Sequence, residues 1–544
     1  MASEFERIKR KANQLRSTGR LQESSELYRK YLKVHPSDRE ALLNLGDVQM
    51  RQEKFQDAAG TYSALVERFP RDPTVHANLG ASLLRLGRVS DARTVLDFAL
   101  EIDPRNIFAR INLGGVLQAQ EDYQGALKNA LEAVSVDPTN PLTFNNLGSA
   151  FSDLNMLAEA KHAYETSLML DSRQIDATVN LAVVFSRMGD HASATKTYEL
   201  ALSFLPPEQN HRAEAIKFFA CFGYFYMGDW EKAWDFYEFG FSPLIPLTGA
   251  RSPKRKFHVP RWNGESAPGK TLMVWREQGV GDEILFASIF KDLERLGMTL
   301  IFECEPRLVS LWRRSFPQVK VREPKFDPNT LLSTASDYDF HLPICSLGSI
   351  FRRSRESFDG FAPYIKPDPL IRERFSTCLQ ELAGDRPKVG ILWRSIKLTP
   401  NRNRAYTAPS QWEGVLGRQD LCFFSLQYNP DRQEILDAEE RFKTKLNVFD
   451  DVNYKDDFES VAAIVSLLDL VISPDTTMFE IAGALNIPTI CMTVHPEGHY
   501  GCRSQFPFYP SVFVLTTDRF EEDATDLLRK LPIAVDRFLP SPYN

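Results

Sequence analysis

The chain has 544 residues, too many for one hydrophobic core, and its length is a prior for about three domains. A hydrophobic content of 43% and a charged content of 25% are those of an ordinary soluble globular protein, and a net charge of -7 argues against a dedicated nucleic-acid binder. Seven cysteines, an odd number with no CxxC pair, give neither a disulfide framework nor a zinc site; buried free thiols in a reducing compartment are the simplest account.

Met1 to Arg16 reads as a charged amphipathic helix without an apolar signal core, and no stretch is apolar enough to span a bilayer. The expectation is a cytoplasmic protein with no membrane span and no nucleic-acid partner. From here to about residue 206 one period dominates. Asn44, Asn78, Asn112, Asn146 and Asn180 recur every 34 residues, each followed by Leu45, Leu79, Leu113, Leu147 or Leu181. Gly46, Gly80, Gly114 and Gly148 come next, with Ala182 in the fifth slot. Ala58, Ala92, Ala126, Ala160 and Ala194 stand twelve residues further on. Pro36, Pro70, Pro104, Pro138 and Pro206 close the units, with Ser172 as the exception. This frame resembles a tetratricopeptide array, two helices per unit, with small residues where helices approach and prolines ending the second helix. Units of this kind stack into an α superhelix with a concave groove, which implies a protein or peptide partner. The first unit is degenerate, with Arg10 in the asparagine slot beside Ala12 and Tyr28, as suits a cap.

The 34-residue period carries the five asparagines to equivalent places on successive first helices, toward the concave side. Each amide offers a donor and an acceptor, so a ladder of them can grip the backbone of an extended acceptor peptide. In this the array resembles that of eukaryotic O-GlcNAc transferase. The alternative is that Asn before Leu-Gly supports packing between neighbouring helices.

After Pro206, Ala213 to Phe241 is predicted as a divergent last helical unit, with Gly228-Asp229-Trp230 as its turn. Ser242 to Lys270 reads as a linker carrying Arg251, Lys254, Arg255, Lys256 and Arg261, either a phosphate-sensing patch or, more simply, a solvated loop. Thr271–Trp275 is a β-rich run. It is followed by a Gly-containing loop (Gln278, Gly279, Gly281, Asp282) and a helical stretch from Glu283 to Leu296. Thr299–Glu303 is the next strand, Pro306–Phe316 a helix, and Asp339–Pro343 a later strand end. The stretch 271–366 thus forms a first Rossmann-like lobe. A second, 367–544, has strands at Lys388–Trp393, Cys422–Leu426, Leu468–Ile472 and Pro488–Met492, with helices at Phe458–Leu467 and Met478–Leu485. Alternating strands and helices imply parallel sheets, and two such lobes place a cleft between the carboxyl ends of their strands.

Three segments occur in order behind the array: Glu277-Gln-Gly-Val-Gly-Asp282, the run Asp339 to Leu347, and the run Ser473 to Leu485. Together they resemble bacterial tetratricopeptide-repeat glycosyltransferases, flagellin glycosyltransferases among them, whose GT-B domain is similar to the heptosyltransferases. The resemblance implies an α superhelix followed by an α/β GT-B domain, with metal-independent transfer from a nucleotide-sugar donor and no other cofactor. It assigns the general base to Asp282, whose alternative role is to cap its helix. Arg394, Ser395, Lys397, Arg402 and Arg404 form a loop that suits a donor phosphate, with Arg404 the nearest match to the family's phosphate-contacting residue; a solvated basic loop is the alternative. Asp475, Thr476 and Thr477 open a helix where a diphosphate and sugar hydroxyls can sit, or where they simply cap it. Gln427 ends a strand and is a further nucleotide candidate. Relatives usually carry His where this chain has Glu480, which marks either a different sugar or a damaged site. His495 and His499 are read as a loop near the cleft and not as a metal pair.

The leading expectation is an inverting protein O-glycosyltransferase, with flagellin as the first acceptor to test. The alternatives are a non-catalytic repeat scaffold and a transferase acting on a glycan or lipid.

Overall fold

In the computed structural model, residues 4–205, 210–242, 251–395, 404–494, 505–517 and 523–540 are described. The chain divides into two compact units, Met1–Val184 and Phe185–Asn544, with the boundary inside one helix.

The first unit is built from helices α1 (Glu4–Ser17), α2 (Leu21–Leu32), α3 (Arg39–Arg51), α4 (Phe55–Arg68), α5 (Pro73–Arg85), α6 (Val89–Ile102), α7 (Ile107–Ala119), α8 (Tyr123–Val136), α9 (Pro141–Asp153) and α10 (Leu157–Leu170), and by most of α11 (Ile175–Arg187). Pro36, Pro70, Pro104 and Pro138 are each followed two residues later by a cap. Asp38, Asp72, Asn106 and Asn140 accept from the first-turn amides of Ala41, Thr74, Ala109 and Leu142 at 2.9–3.0 Å. These caps recur at the same 34-residue spacing and fix where every first helix starts. The small residues act as predicted. A Cβ on Gly46 would lie 2.4 Å from the ring of Tyr62, and one on Gly148 2.7 Å from that of Tyr164. Ala58, Ala92, Ala126 and Ala160 are buried at the same helix-pair contacts. The second helix α10 ends at Leu170 although Ser172 replaces the proline.

The second unit begins with α12 (His191–Phe204), α13 (Asn210–Met227) and α14 (Trp230–Tyr237). Gly228 takes a positive φ, and Asp229 caps α14 by accepting from Lys232 N at 3.1 Å, as its turn sequence suggests. Trp234 of α14 is fully buried and donates from Nε1 to Arg352 O at 2.6 Å. Its indole fills the space a side chain on Gly348 would need.

Four parallel strands follow: β1 (Thr271–Trp275), β2 (Thr299–Glu303), β3 (Lys320–Arg322) and β4 (Phe340–Pro343), in the order β3-β2-β1-β4. The second sheet contains β5 (Lys388–Ile391), β6 (Cys422–Ser425), β7 (Leu446–Asn447), β8 (Leu470–Pro474), β9 (Thr489–Thr493), β10 (Gln505–Phe506) and β11 (Tyr509–Thr516). Its order is β10-β11-β9-β8-β5-β6-β7, and only β10 runs antiparallel. Counted from β5 and leaving out β10, this is the 3-2-1-4-5-6 order of a dinucleotide-binding sheet. The fold is therefore the expected helical superhelix followed by two Rossmann-like lobes. β3 and β7 are three and two residues long and β10 is two, too short to carry a period; β11, though longer, begins with Tyr-Pro.

The expectation of a solvated linker fails for two of its cations. Arg251 is fully buried on Glu277. Arg255 is buried beside Glu303 at 2.8 Å, among the rings of Phe257, Trp275 and Phe326.

Candidate active site between the two lobes

In a parallel sheet, ligands bind beyond the carboxyl ends of the strands, at the point where the strand order reverses. In the first lobe that point lies between β1 and β4, and in the second between β5 and β8. The candidate residues come from the loops at these ends.

β1 stops at Trp275. After the Arg276–Gly279 turn, a helix runs over Val280–Ala287. Gly279 is its N-cap, and Asp282 in its first turn accepts from Gly279 N at 3.0 Å through Oδ2. Capping is thus one role of Asp282, and the carboxylate retains further lone pairs. The second lobe meets this turn directly. After β8, Thr476 caps the helix Thr477–Ala484 and accepts from Met478 N at 3.3 Å. A Cβ on Gly281 would lie 3.4 Å from Glu480 Cγ and 3.8 Å from Thr477 Oγ1, so Gly281 is where the two first turns touch.

This juxtaposition gathers acids. Burial pushes the Asp282 carboxyl up to about 6, with the charges of Glu277 and Asp475 adding to it and the Gly279 hydrogen bond opposing it. Glu480 is 7% exposed, its Oε2 is buried without a hydrogen bond, and burial holds it well above the ordinary carboxylate range, with Asp475 and Asp282 reinforcing the effect. It shares a hydrogen bond with Tyr509, whose hydroxyl lies 3.0 Å from that of Tyr364; Tyr364 donates to Ile284 O at 2.7 Å. Glu480 is therefore an acid wedged between the lobes, where burial favours its neutral form. Glu283, next to Asp282, is fully buried, accepts from Trp312 Nε1 and Glu305 N at 2.9 Å, and is raised by burial to about 7.

Around the β5 end, Arg394 donates to Glu434 at 2.5 Å, and Tyr428 donates to Ser395 Oγ at 3.2 Å. Gln427 follows β6 and is buried. Its Oε1 accepts from Arg394 N at 3.1 Å and its Nε2 donates to Arg394 O at 2.9 Å, so the amide braces the loop. Arg404 is half-buried, with its carbonyl accepting from Ala524 N. Asp475, Thr476 and Thr477 are all half-buried at the mouth of β8. Lys397, Arg402, His495 and His499 lie outside the described residues.

The repeat asparagines are half-buried, and four of them spend their amide donors on the preceding unit. Asn112 donates to Ala77 O at 3.2 Å, Asn146 to Ile111 O at 2.9 Å and Asn180 to Asn145 Oδ1 at 3.1 Å, each reaching back 35 residues; Asn44 reaches Asn13 Oδ1 at 3.4 Å. Among the described residues Asn78 makes no side-chain hydrogen bond. The packing role raised by the sequence is therefore present in four of the five.

Sequence reasoning passed over Tyr364 and Tyr509 and read Arg251 only as part of a basic, solvated stretch. None sits in a motif or at a repeated spacing, and their importance comes from chain segments far apart in sequence. A cavity of about 370 Å³, lined in part by Lys291, Arg295, Arg352 and Phe361, includes Tyr364 but none of the residues predicted from the sequence.

Family models described as tetratricopeptide repeat match residues 9–73, 45–107, 77–141 and 143–174. The chain is similar to Protein FlbA of Caulobacter vibrioides, 31% identical over 302 residues, which cover 53% of this chain and 50% of that one. It thus spans about half the length of the curated relative it matches. Among solved structures it is similar to a thermophilic TPR protein of Thermus thermophilus (23% identity, 34% of this chain and 99% of that chain, TM-score 0.31). It is also similar to the APC/C hetero-tetramer Cut9-Hcn1 (18% identity, 42% and 45%, TM-score 0.37). At these scores the two structures carry no argument. Among the described residues no helix is long and apolar enough to cross a membrane. The N-terminal part of the chain is an array of tetratricopeptide repeats.

Proposed function

We propose that the second unit is an inverting GT-B glycosyltransferase that moves a sugar from a nucleotide donor to a Ser or Thr hydroxyl of a protein held by the repeat array. The observation that carries this reading is the meeting of Gly281, the residue before Asp282, with the Thr477–Ala484 helix across the carboxyl ends of two parallel sheets. A base with its midpoint near 6 is ionised at neutral pH yet more basic than an exposed aspartate, which suits removal of a hydroxyl proton. As the acceptor oxygen bonds to the anomeric carbon, the bond from that carbon to the donor phosphate breaks and the hydroxyl proton passes to Asp282. The departing nucleoside diphosphate is stabilised by the amide end of the Thr477–Ala484 helix, with Thr476 and Thr477 hydroxyls, and by Arg394, Arg404, Lys397 and Arg402. Asp475 holds sugar hydroxyls. Burial disfavours a charge on Glu480 beside the diphosphate. Gln427 acts through the Arg394 loop.

For the acceptor side the asparagine ladder keeps its carbonyl oxygens, and Asn78 its whole amide, for a peptide backbone. The commitment of four amides to packing favours a second reading, in which the repeats serve assembly and the acceptor is a glycan. The test is the intact mass of flagellin, then of other abundant proteins, from cells making the normal chain or Asp282→Asn. A sugar-sized mass that disappears with the substitution supports transfer to protein in the cytoplasm. Identical masses in both would refute it.

A further inference from the structure

The joining segment reaches into the turn that carries Asp282. Arg251 has no exposed surface. Its Nε donates to Glu277 Oε2 at 2.8 Å, while Nη2 donates to the other Glu277 oxygen and to Ser346 Oγ at 2.7 Å. The rings of Tyr237 and Phe241 lie 4.6 and 4.5 Å from the guanidinium, and Glu238 lies 3.3 Å from Nη1. Cys345 N also donates to Glu277, at 3.2 Å. One residue on, Ser252 O accepts from Gln278 N at 2.7 Å. Gln278 has a φ of +60°, a left-handed conformation that a non-glycine residue holds only when its surroundings impose it. The fit also excludes a side chain at Gly240, where a Cβ would lie 2.5 Å from Arg251 Cδ.

We propose that Arg251, together with Ser252, is a positioning residue for the transfer reaction. It clamps the Glu277–Gln278 turn so that Gly279 begins the helix with Asp282 facing the second lobe, and it fastens that turn to the end of the last helix pair. The proposal rests on Asp282 as the base. The reason is geometric. Gln278 lies one residue before the N-cap and four before Asp282, so relaxation of its φ moves the carboxylate. Displacements of about 1 Å in such groups cost on the order of a hundredfold in rate. The planar fork matters as much as the charge, because an ammonium cannot grip both Glu277 oxygens in one plane.

The experiment is hydrogen exchange by mass spectrometry on the full-length protein, with Arg251→Lys and Gly240→Ala, alongside transfer kinetics on flagellin. Gly240→Ala crowds the arginine stem, and the Phe218 ring at 2.6 Å, without altering any charge. The expected result is exchange roughly tenfold or more faster at amides 276–282 in both variants, with wild-type protection at 458–485. Transfer kcat falls about tenfold or more while KM for the nucleotide sugar is unchanged. Unchanged protection at 276–282 in both variants overturns the clamp, whatever the activity. Loss of protection across the whole unit in both also overturns it, since the residues then hold the fold and not the turn. A loosened turn with undiminished transfer overturns the positioning role. A loosened turn in a protein whose wild type transfers no sugar to flagellin leaves the clamp standing and refutes flagellin as the acceptor instead.

Discussion

Replacing Asp282 by Asn should remove activity and at the same time stabilise the protein at neutral pH. Asn keeps an oxygen for the Gly279 amide, so the helix stays capped. What it loses is the ability to ionise. In the folded chain the Asp282 carboxyl titrates near 6 against an ordinary value of 3.8. A group raised in the folded state contributes stability that is fully present below its unfolded value and is lost as the pH rises through its folded one. Ionising Asp282 in place therefore costs the wild type about 3 kcal/mol at pH 8, an upper bound from roughly two pH units at about 1.4 kcal/mol each. The variant escapes this cost. Thermal unfolding of both proteins at pH 4 and pH 8 should give nearly equal midpoints at pH 4. At pH 8 the variant should melt a few degrees higher, about 1–3 °C per kcal/mol being reasonable for a unit of this size. A gain of the same size at both pH values would show that ionisation is not its cause. Sugar transfer at the wild-type rate would remove Asp282 from the role of base.

Glu480→Gln should be tolerated, because Gln is nearly isosteric with the neutral form that burial favours; a melting point lowered by more than about 2 °C would mean the carboxylate form is needed. Asn146→Ala should cost about 1 kcal/mol of stability and Asn78→Ala close to none, since only the former donates to the preceding helix. Urea unfolding measures the difference. Weakened flagellin modification by Asn78→Ala in a protein of unchanged stability would support peptide binding. Trp234→Ala should destabilise the second unit by about 3–5 kcal/mol, and Gly348→Ala should destabilise it too, because a methyl there meets the indole at 2.3 Å. If circular dichroism melts of both match the wild type, the packing described for α14 is wrong.

The repeat array was legible in the sequence because its determinants are local and periodic. Glycine and alanine at fixed spacing decide how closely two neighbouring helices pack, and Gly46 against Tyr62 shows that constraint in place. The longer strands β1, β2 and β5 were equally legible, as apolar runs bounded by turns. β3, β7 and β10 were not, since they are two or three residues long and are strands only because a neighbour offers its hydrogen bonds.

The candidate site divides in the same way. Asp282 follows Gly281 in sequence, and Thr476 and Thr477 precede a helix, so their places at the strand ends could be read from the chain. That Gly281 touches Glu480, and that the contact raises Asp282, depends on two helices about 200 residues apart meeting at their first turns. Arg251 shows the limit most clearly. In sequence it belongs to a basic, solvent-loving stretch; in the fold, an acid at Glu277 and two aromatic rings take up its charge and its stem. Sequence alone determined the repeat helices, most of the longer strands (β11 excepted) and the order of the lobes, because backbone preference and side-chain period act over a few residues. Only the tertiary structure decided which charges are buried and what they hold, because desolvation and ion pairing depend on neighbours that the chain brings together from a distance.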